Sequence, residues 1–279
     1  MAIDKLKEKS FEYLFCSALG YPIRKLATMP ITSALAGSYM NTAFSRRIID
    51  GFAEKNGIDL SEYLSEEYKC FNDFFTRNIK PGARPVDMEP GHLISPCDGH
   101  LSAYKIDKDS VFEIKGSEYN VSDLLEGSNC GDEYLNGTCL VLRLAVDNYH
   151  RYCYIDEGRK TRNYHVDGRF DPVRPVVIRK RPVFVQNTRE YTFMDTENFG
   201  RVAQIEVGAC LVGRIHNHHE SCLTHRGKEK GLFLFGGSTI VLLFKENTLD
   251  IPKKIFTDSL YSRELPVKYG QMIGKAKKD

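Results

Sequence analysis

No CxxC pair occurs among the eight cysteines, Cys16, Cys70, Cys97, Cys130, Cys139, Cys153, Cys210 and Cys222. Met1 to Ser10 is charged and no clean apolar core follows it, so no cleavable signal is expected. Together these two absences favour a reducing compartment, with free thiols packed mostly as small hydrophobes. No uninterrupted apolar run is long enough to cross a bilayer, so any membrane is expected to be met at its surface. A net charge of only +2 gives no argument for nucleic acid. Internal repeats and low-complexity tracts are also missing. With 42% hydrophobic and 27% charged residues, the composition is that of a globular chain rather than a disordered one. Its 279 residues suffice for one large domain or two modest ones.

The basic residues that cluster do so at Arg179-Lys180-Arg181 and at Lys275-Ala276-Lys277-Lys278. Such clusters are solvated faces or contacts for anionic lipid headgroups. Up to about residue 68 the pattern is helical. Phe11, Leu14, Phe15, Ala18 and Leu19 share one stripe, and Ile48, Ile49, Phe52 and Ala53 share another. Between Pro22 and Pro30, the apolar and basic segment Tyr21–Pro30 suits either a headgroup layer or packing on its own domain. The aromatic run Phe71-Asn72-Asp73-Phe74-Phe75 leads into a loop limited by Pro81 and Pro85, which marks a boundary.

From about Leu93 the pattern changes to short strands and turns. Asp98-Gly99 reads as a turn, Val111–Gly116 alternates, and Val121–Gly127 reads as a short helix. Thr138–Val146 is a strongly apolar strand, and further strands are expected at Val173–Ile178, Val183–Gln186, Tyr191–Met194 and Val202–Val207. Many close strands with few long helices give an α+β fold: a helical N-terminal region, 1–70, on a mostly antiparallel β-rich domain, 71–279.

Near the C-terminus, Leu232–Phe235 and Ile240–Phe244 are apolar runs separated by Gly236-Gly237-Ser238-Thr239. One reading is a bulge or tight hairpin with a satisfied hydroxyl pair. The other is chemical: paired glycines leave the carbonyl before Ser238 open to attack by a hydroxyl. Asp98, His150 and Ser238 then stand at strand ends as the carboxylate, imidazole and hydroxyl of a charge-relay nucleophile, with Asp98 fixing the tautomer of His150. Gly236-Gly237-Ser238-Thr239-Ile240 lacks the second glycine of the Gly-x-Ser-x-Gly elbow, which excludes an α/β-hydrolase. His216, His218, His219, His225 and Cys222 form a competing cluster of zinc-ligand types, at a spacing that matches no familiar structural site. His165 and Asp156 are further titratable candidates at turns.

From about Phe71 to Phe244 the chain resembles the phosphatidylserine decarboxylases. The motifs that carry the likeness are Phe74–Pro85 with Arg84-Pro85, Ser95-Pro96-Cys97-Asp98-Gly99, Tyr149-His150-Arg151, Val207-Gly208-Ala209 with Val212-Gly213, and Phe235-Gly236-Gly237-Ser238-Thr239. The last is the most specific. The resemblance implies a membrane-associated enzyme that makes its own pyruvoyl cofactor from Ser238, with no metal. Cleavage between Gly237 and Ser238 would divide the precursor into a β chain, Met1 to Gly237, and an α chain, Ser238 to Asp279. The pyruvoyl group would form a Schiff base with phosphatidylserine, and decarboxylation would give phosphatidylethanolamine and CO2. Partners implied are phosphatidylserine in an anionic membrane, on the cytoplasmic side of the cell membrane as a peripheral protein, with a homodimer left open. Alternatives are a related decarboxylase of another amino-acid-like headgroup, or a non-catalytic zinc- or lipid-binding scaffold. One position departs from the family pattern His-x-x-His, because Cys153 follows His150-Arg151-Tyr152. His150 is therefore expected to be the processing base, with His165 and Cys153 as the other candidates.

Overall fold

Strands buried on both faces have no need of polar alternation, and the longest apolar runs of this chain form such strands. The computed structural model describes residues 38–64, 67–171, 184–208, 215–235 and 238–277. Its largest sheet has nine strands, in the order Cys222–Thr224, Gly158–Lys160, Arg189–Thr196, Gly200–Val207, Ser238–Phe244, Thr138–Leu144, Gly99–Lys105 and Leu265–Val267. The ninth, Tyr164–Val166, also pairs with Arg189–Thr196, and every pairing in the sheet is antiparallel.

Successive side chains of a strand point to opposite faces. Ile240, Leu242 and Phe244 accordingly enter one core with Leu140, Leu142, Leu144 and Leu101. Val241 and Leu243 enter a second core on the other face with Val141, Ala203, Ile205 and Val207. All seven residues of Ser238–Phe244 are buried. The strand that carries the cleavage motif is thus in the middle of the sheet and packed on both sides.

The two apolar runs around Gly236-Gly237 belong to different sheets. Glu229–Phe233 lies between Ile215–Asn217 and Arg151–Cys153 in a three-stranded sheet, whereas Ser238–Phe244 belongs to the large one. The runs are therefore not the two arms of a hairpin.

Among the described residues the helices are few and short. A 3₁₀ turn, Ala43–Ile48, continues into the α-helix Ile49–Asn56, which Gly57 ends in the left-handed conformation at φ 63° while its N–H caps the carbonyls of Ala53 and Glu54. The helix Val121–Leu124 begins with a capping box between Asn120 and Asp123. Phe71–Phe75 is one short helix with Phe71, Asn72, Phe74 and Phe75 buried. With Ile49, Ala53 and Tyr68 its phenylalanines make a third core, onto which Phe235 packs. The described architecture is α+β with antiparallel sheets. Tyr21–Pro30 and Val173–Ile178 lie outside the described residues, as do Gly236 and Gly237.

Candidate active site

Register places the expected site residues at one end of the large sheet. Ser238 opens its strand opposite Leu144, the last residue of Thr138–Leu144. Arg143 pairs with Thr239 on one side and with His100 on the other. Asp98 therefore enters the sheet two strands from Ser238, about 10 Å away at ordinary strand spacing. On the opposite flank Thr239 pairs with Val207, so the Val207-Gly208 motif reaches the same end. Gly99 has to be glycine, because a Cβ there would stand 2.9 Å from the carbonyl oxygen of Arg143.

His150 follows the turn after Thr138–Leu144. Asn148 closes that turn by accepting the N–H of Ala145 on its side chain at 2.8 Å. From below, Arg77 donates to the carbonyls of Asp147 at 2.9 Å and Asn148 at 3.3 Å. The Asn148 carbonyl also lies 2.9 Å from Nδ1 of His150. A carbonyl only accepts, so Nδ1 carries the proton and Nε2 holds a lone pair. Nε2 is buried and has no hydrogen-bond partner among the described residues.

The imidazole is completely buried and lies 3.9 Å, centroid to centroid, from the ring of Phe75. Burial is the main cause that pushes its pKa down to about 3, and the cations of Arg77 and Lys115 add to it against the opposing Asn148 carbonyl. His150 is a neutral base held in one tautomer. Its own carbonyl accepts the N–H of Phe233 at 2.9 Å. The Phe75 ring that covers it also meets Phe235 edge-on at 5.3 Å. The structure thus joins His150 to the chain segment that leads into Gly236, Gly237 and Ser238. Ser238 itself is buried.

Asp98 is buried as well, but its carboxylate is held elsewhere. Arg84 donates to it through Nε at 2.9 and 3.1 Å and through Nη2 at 2.7 Å, and the Tyr269 N–H adds a bond of 2.8 Å. These donors occupy lone pairs that a histidine would need, and the Asn148 carbonyl already fills the orienting position at Nδ1. The tautomer expected to be set by Asp98 is set instead by a backbone carbonyl. Asp98 reaches the histidine's surroundings indirectly, since the Tyr269 ring meets that of Tyr149 at 6.0 Å.

The other candidate bases lie in different settings. Cys153 is fully buried, and burial pushes its thiol up to about 12, which keeps it protonated. His165 is exposed on Tyr164–Val166, within 3.4 Å of Glu190 and 3.2 Å of Asp167. In the histidine-rich loop the rings of His216, His218 and His219 are neighbours, at 5.3 and 6.1 Å between centroids, but their nitrogens take separate partners: His218 faces Glu229 at 2.6 Å and His219 the Tyr154 hydroxyl at 3.3 Å, while His225 faces Glu157 at 2.8 Å. Among the described residues no group of three or more His, Cys, Asp or Glu is placed to hold a metal ion. Asp156 is taken up by a buried ion pair with Arg226 at 2.6 Å and by Asn198.

Sequence reasoning missed Asn148, Arg77 and the helix Phe71–Phe75 as parts of this site. The available signal was the amide of Asn72 among three phenylalanines that are buried with it, since a buried amide needs partners.

Comparison with known proteins adds the family. The family model described as phosphatidylserine decarboxylase matches residues 71–275. Phosphatidylserine decarboxylase proenzyme 2 of Clostridium acetobutylicum is 43% identical over 270 residues, covering 96% of this chain and 92% of that protein. The phosphatidylserine decarboxylase proenzyme of Clostridium botulinum (strain 657) is 41% identical over 276 residues, 97% of this chain and 94% of that protein. That of Ruminiclostridium cellulolyticum is 41% identical over 257 residues, 90% and 86% of the two chains.

The neutral state of His150 has a consequence for acid stability. Its folded pKa, about 3, lies below the ordinary histidine value of 6.5, so between these limits the unfolded chain binds the extra proton. The contribution is fully present above the unfolded value and is lost as pH falls toward 3. Urea unfolding at pH 7.5 and pH 4.5, in a Ser238→Ala background that keeps both chains whole, should show a smaller acid loss with His150→Gln than without it. Equal losses would contradict a buried neutral imidazole.

Proposed function

The chain belongs to the phosphatidylserine decarboxylase family, and on that premise we propose that it cuts itself before Ser238 and converts phosphatidylserine to phosphatidylethanolamine and CO2. The observation that carries this reading is the free lone pair on Nε2 of His150, a buried neutral base tied through Phe75 to the segment upstream of Ser238. In the cut, the Ser238 hydroxyl adds to the carbonyl carbon of Gly237 while Nε2 takes its proton. The tetrahedral centre then expels the nitrogen of residue 238, which receives that proton, and an ester replaces the amide. Loss of the Cα proton and of the Gly237 carboxylate leaves dehydroalanine. Addition of water and release of ammonia complete the pyruvoyl end of the α chain.

The surroundings of residue 238 fit such a group. It is the first residue of a central strand buried on both faces, so water is kept from one side of it and its backbone is fixed. A pyruvoyl group there would supply an electron-withdrawing carbonyl to take up the electron pair released as the substrate carboxyl leaves. His150 stays neutral throughout the physiological range, ready to hold a proton in transit at Nε2. Asp98 acts as an anchor, fixing Arg84 and the Tyr269 backbone beside Tyr149. Support for His150 over Cys153 comes from the protonated state that burial imposes on the thiol, and over His165 from that residue's exposed position.

The substrate's acyl chains lie in a bilayer, so the region 1–70 is assigned to peripheral binding at the cytoplasmic side of an anionic cell membrane, with 71–279 as the decarboxylase domain. Its described part carries Phe44 at 67% exposure and Leu64 at 57%, with Arg46 and Arg47 on the same 3₁₀ turn as Phe44. Exposed apolar side chains beside cations suit an anionic interface. Among the described residues no helix is long and apolar enough to cross a membrane.

Denaturing electrophoresis after expression tests the processing step. Ser238→Ala and His150→Ala should remain single chains, whereas Cys153→Ala should separate into two. A Cys153→Ala chain that stays whole while His150→Ala cuts would transfer the base role to the thiol. For the membrane surface, co-sedimentation with phosphatidylserine vesicles should weaken in Phe44→Ser/Arg47→Glu. Undiminished binding of that double variant would remove this turn from the interface.

A further inference from the structure

Gly236 and Gly237 stand directly before the attacking hydroxyl, and glycines constrain a backbone least of all residues. Attack of a hydroxyl on a neighbouring carbonyl depends on orientation, and misplacement by about 1 Å can cost about 100-fold in rate. Downstream, the central strand Ser238–Phe244 fixes the reacting residue. Upstream, the strand Glu229–Phe233 ends before the glycines are reached.

What holds the intervening chain is the helix Phe71–Phe75. The N–H of Phe235 donates to Oδ1 of Asn72 at 3.2 Å, across 163 positions of sequence. Asn72 is only 5% exposed; the Phe235 N–H can only donate, so the amide turns its oxygen there, and its Nδ2 donates to Oδ1 of Asn41 at 2.8 Å. The Asn72 carbonyl accepts both the N–H and the hydroxyl of Thr76, at 2.9 and 2.8 Å, so the residue is anchored at both ends. Around this bond, Phe71 and Phe75 meet the Phe235 ring edge-on at 4.9 and 5.3 Å. The Phe75 ring covers His150 as well.

We infer that Asn72 is a positioning residue for self-cleavage: it fixes the N–H of Phe235, three residues before Ser238, and so anchors the chain from which the scissile bond follows. This rests on the proposed cut before Ser238. Asn41 serves Asn72 in turn, by holding its amide so that the oxygen faces Phe235. The role requires an acceptor at position 72, not an amide as such. Asp retains that acceptor, and Asn41 can turn its own amide nitrogen toward the second carboxylate oxygen. Leu fills a similar volume and offers none.

The test times cleavage of the full chain made by cell-free translation, read on denaturing gels, for wild type, Asn72→Leu, Asn72→Asp and Asn41→Ala. Thermal midpoints are compared in the uncleavable Ser238→Ala background, so that processing does not alter the folded state being measured. Cleavage should slow about tenfold or more in Asn72→Leu, stay within about threefold of wild type in Asn72→Asp, and fall between in Asn41→Ala. Wild-type cleavage in Asn72→Leu, or equal slowing by Leu and Asp, overturns the inference. Should Asn72→Leu not fold, Asn41→Ala decides: slower cleavage in a folded chain supports the role and an unchanged rate removes it. A wild-type chain that is not cut before Ser238 would instead refute the proposed processing, which keeps the two failures distinct.

Discussion

The ring of Phe75 lies against His150 on one side and Phe235 on the other, and the site depends on that shared contact. It excludes water from the imidazole, which is why the histidine is neutral and why the lone pair on Nε2 carries no proton. It also binds the upstream arm of the cleavage segment to the same helix that supports the turn bearing His150. Aromatic contacts of this kind contribute about 0.5–1.5 kcal/mol each beyond area burial. Phe71, Phe74 and Phe75 make several together, and five residues of helix suffice to hold two distant parts of the chain.

Behind this clamp stands the large sheet. Because Ser238–Phe244 is flanked by strands on both sides and packed on both faces, the reacting residue is held by the most constrained part of the fold. Upstream, Phe235 is held not by strand pairing but by the Asn72 side chain and by the rings of Phe71 and Phe75. The departure at Cys153 is tolerable in this arrangement. Cys153 is fully buried, its backbone N–H donates to the carbonyl of Pro96 at 2.9 Å, and the proposed base stands three residues earlier.

Much of this was legible in the residues, and the exceptions have physical causes. The strongly apolar run Thr138–Val146 and the segment Val202–Val207 were legible as strands, and the break at Gly236-Gly237 was visible as a break. That its two arms belong to different sheets was not visible, because strand pairing is decided by contacts far apart in sequence. Asp98, His150 and Ser238 could be found as polar residues at strand ends. Their partners could not: Nδ1 of His150 is served by a backbone carbonyl, which every residue possesses and no motif marks. Arg84 was noted as part of a family motif, without a sign that its guanidinium would claim the Asp98 carboxylate. The aromatics of Phe71–Phe75 stand at near-helical spacing, but what they pack against was not legible, because this helix owes its stability to tertiary contacts rather than to propensity.

The central claim is that the chain converts its own Ser238 into a reactive carbonyl, and intact mass measurement of the purified full-length protein tests it most directly. The account predicts two species, a β chain ending at Gly237 and an α chain that starts at position 238 with a pyruvoyl group and yields no residue in N-terminal sequencing. A single unmodified chain of 279 residues that decarboxylates phosphatidylserine would contradict it.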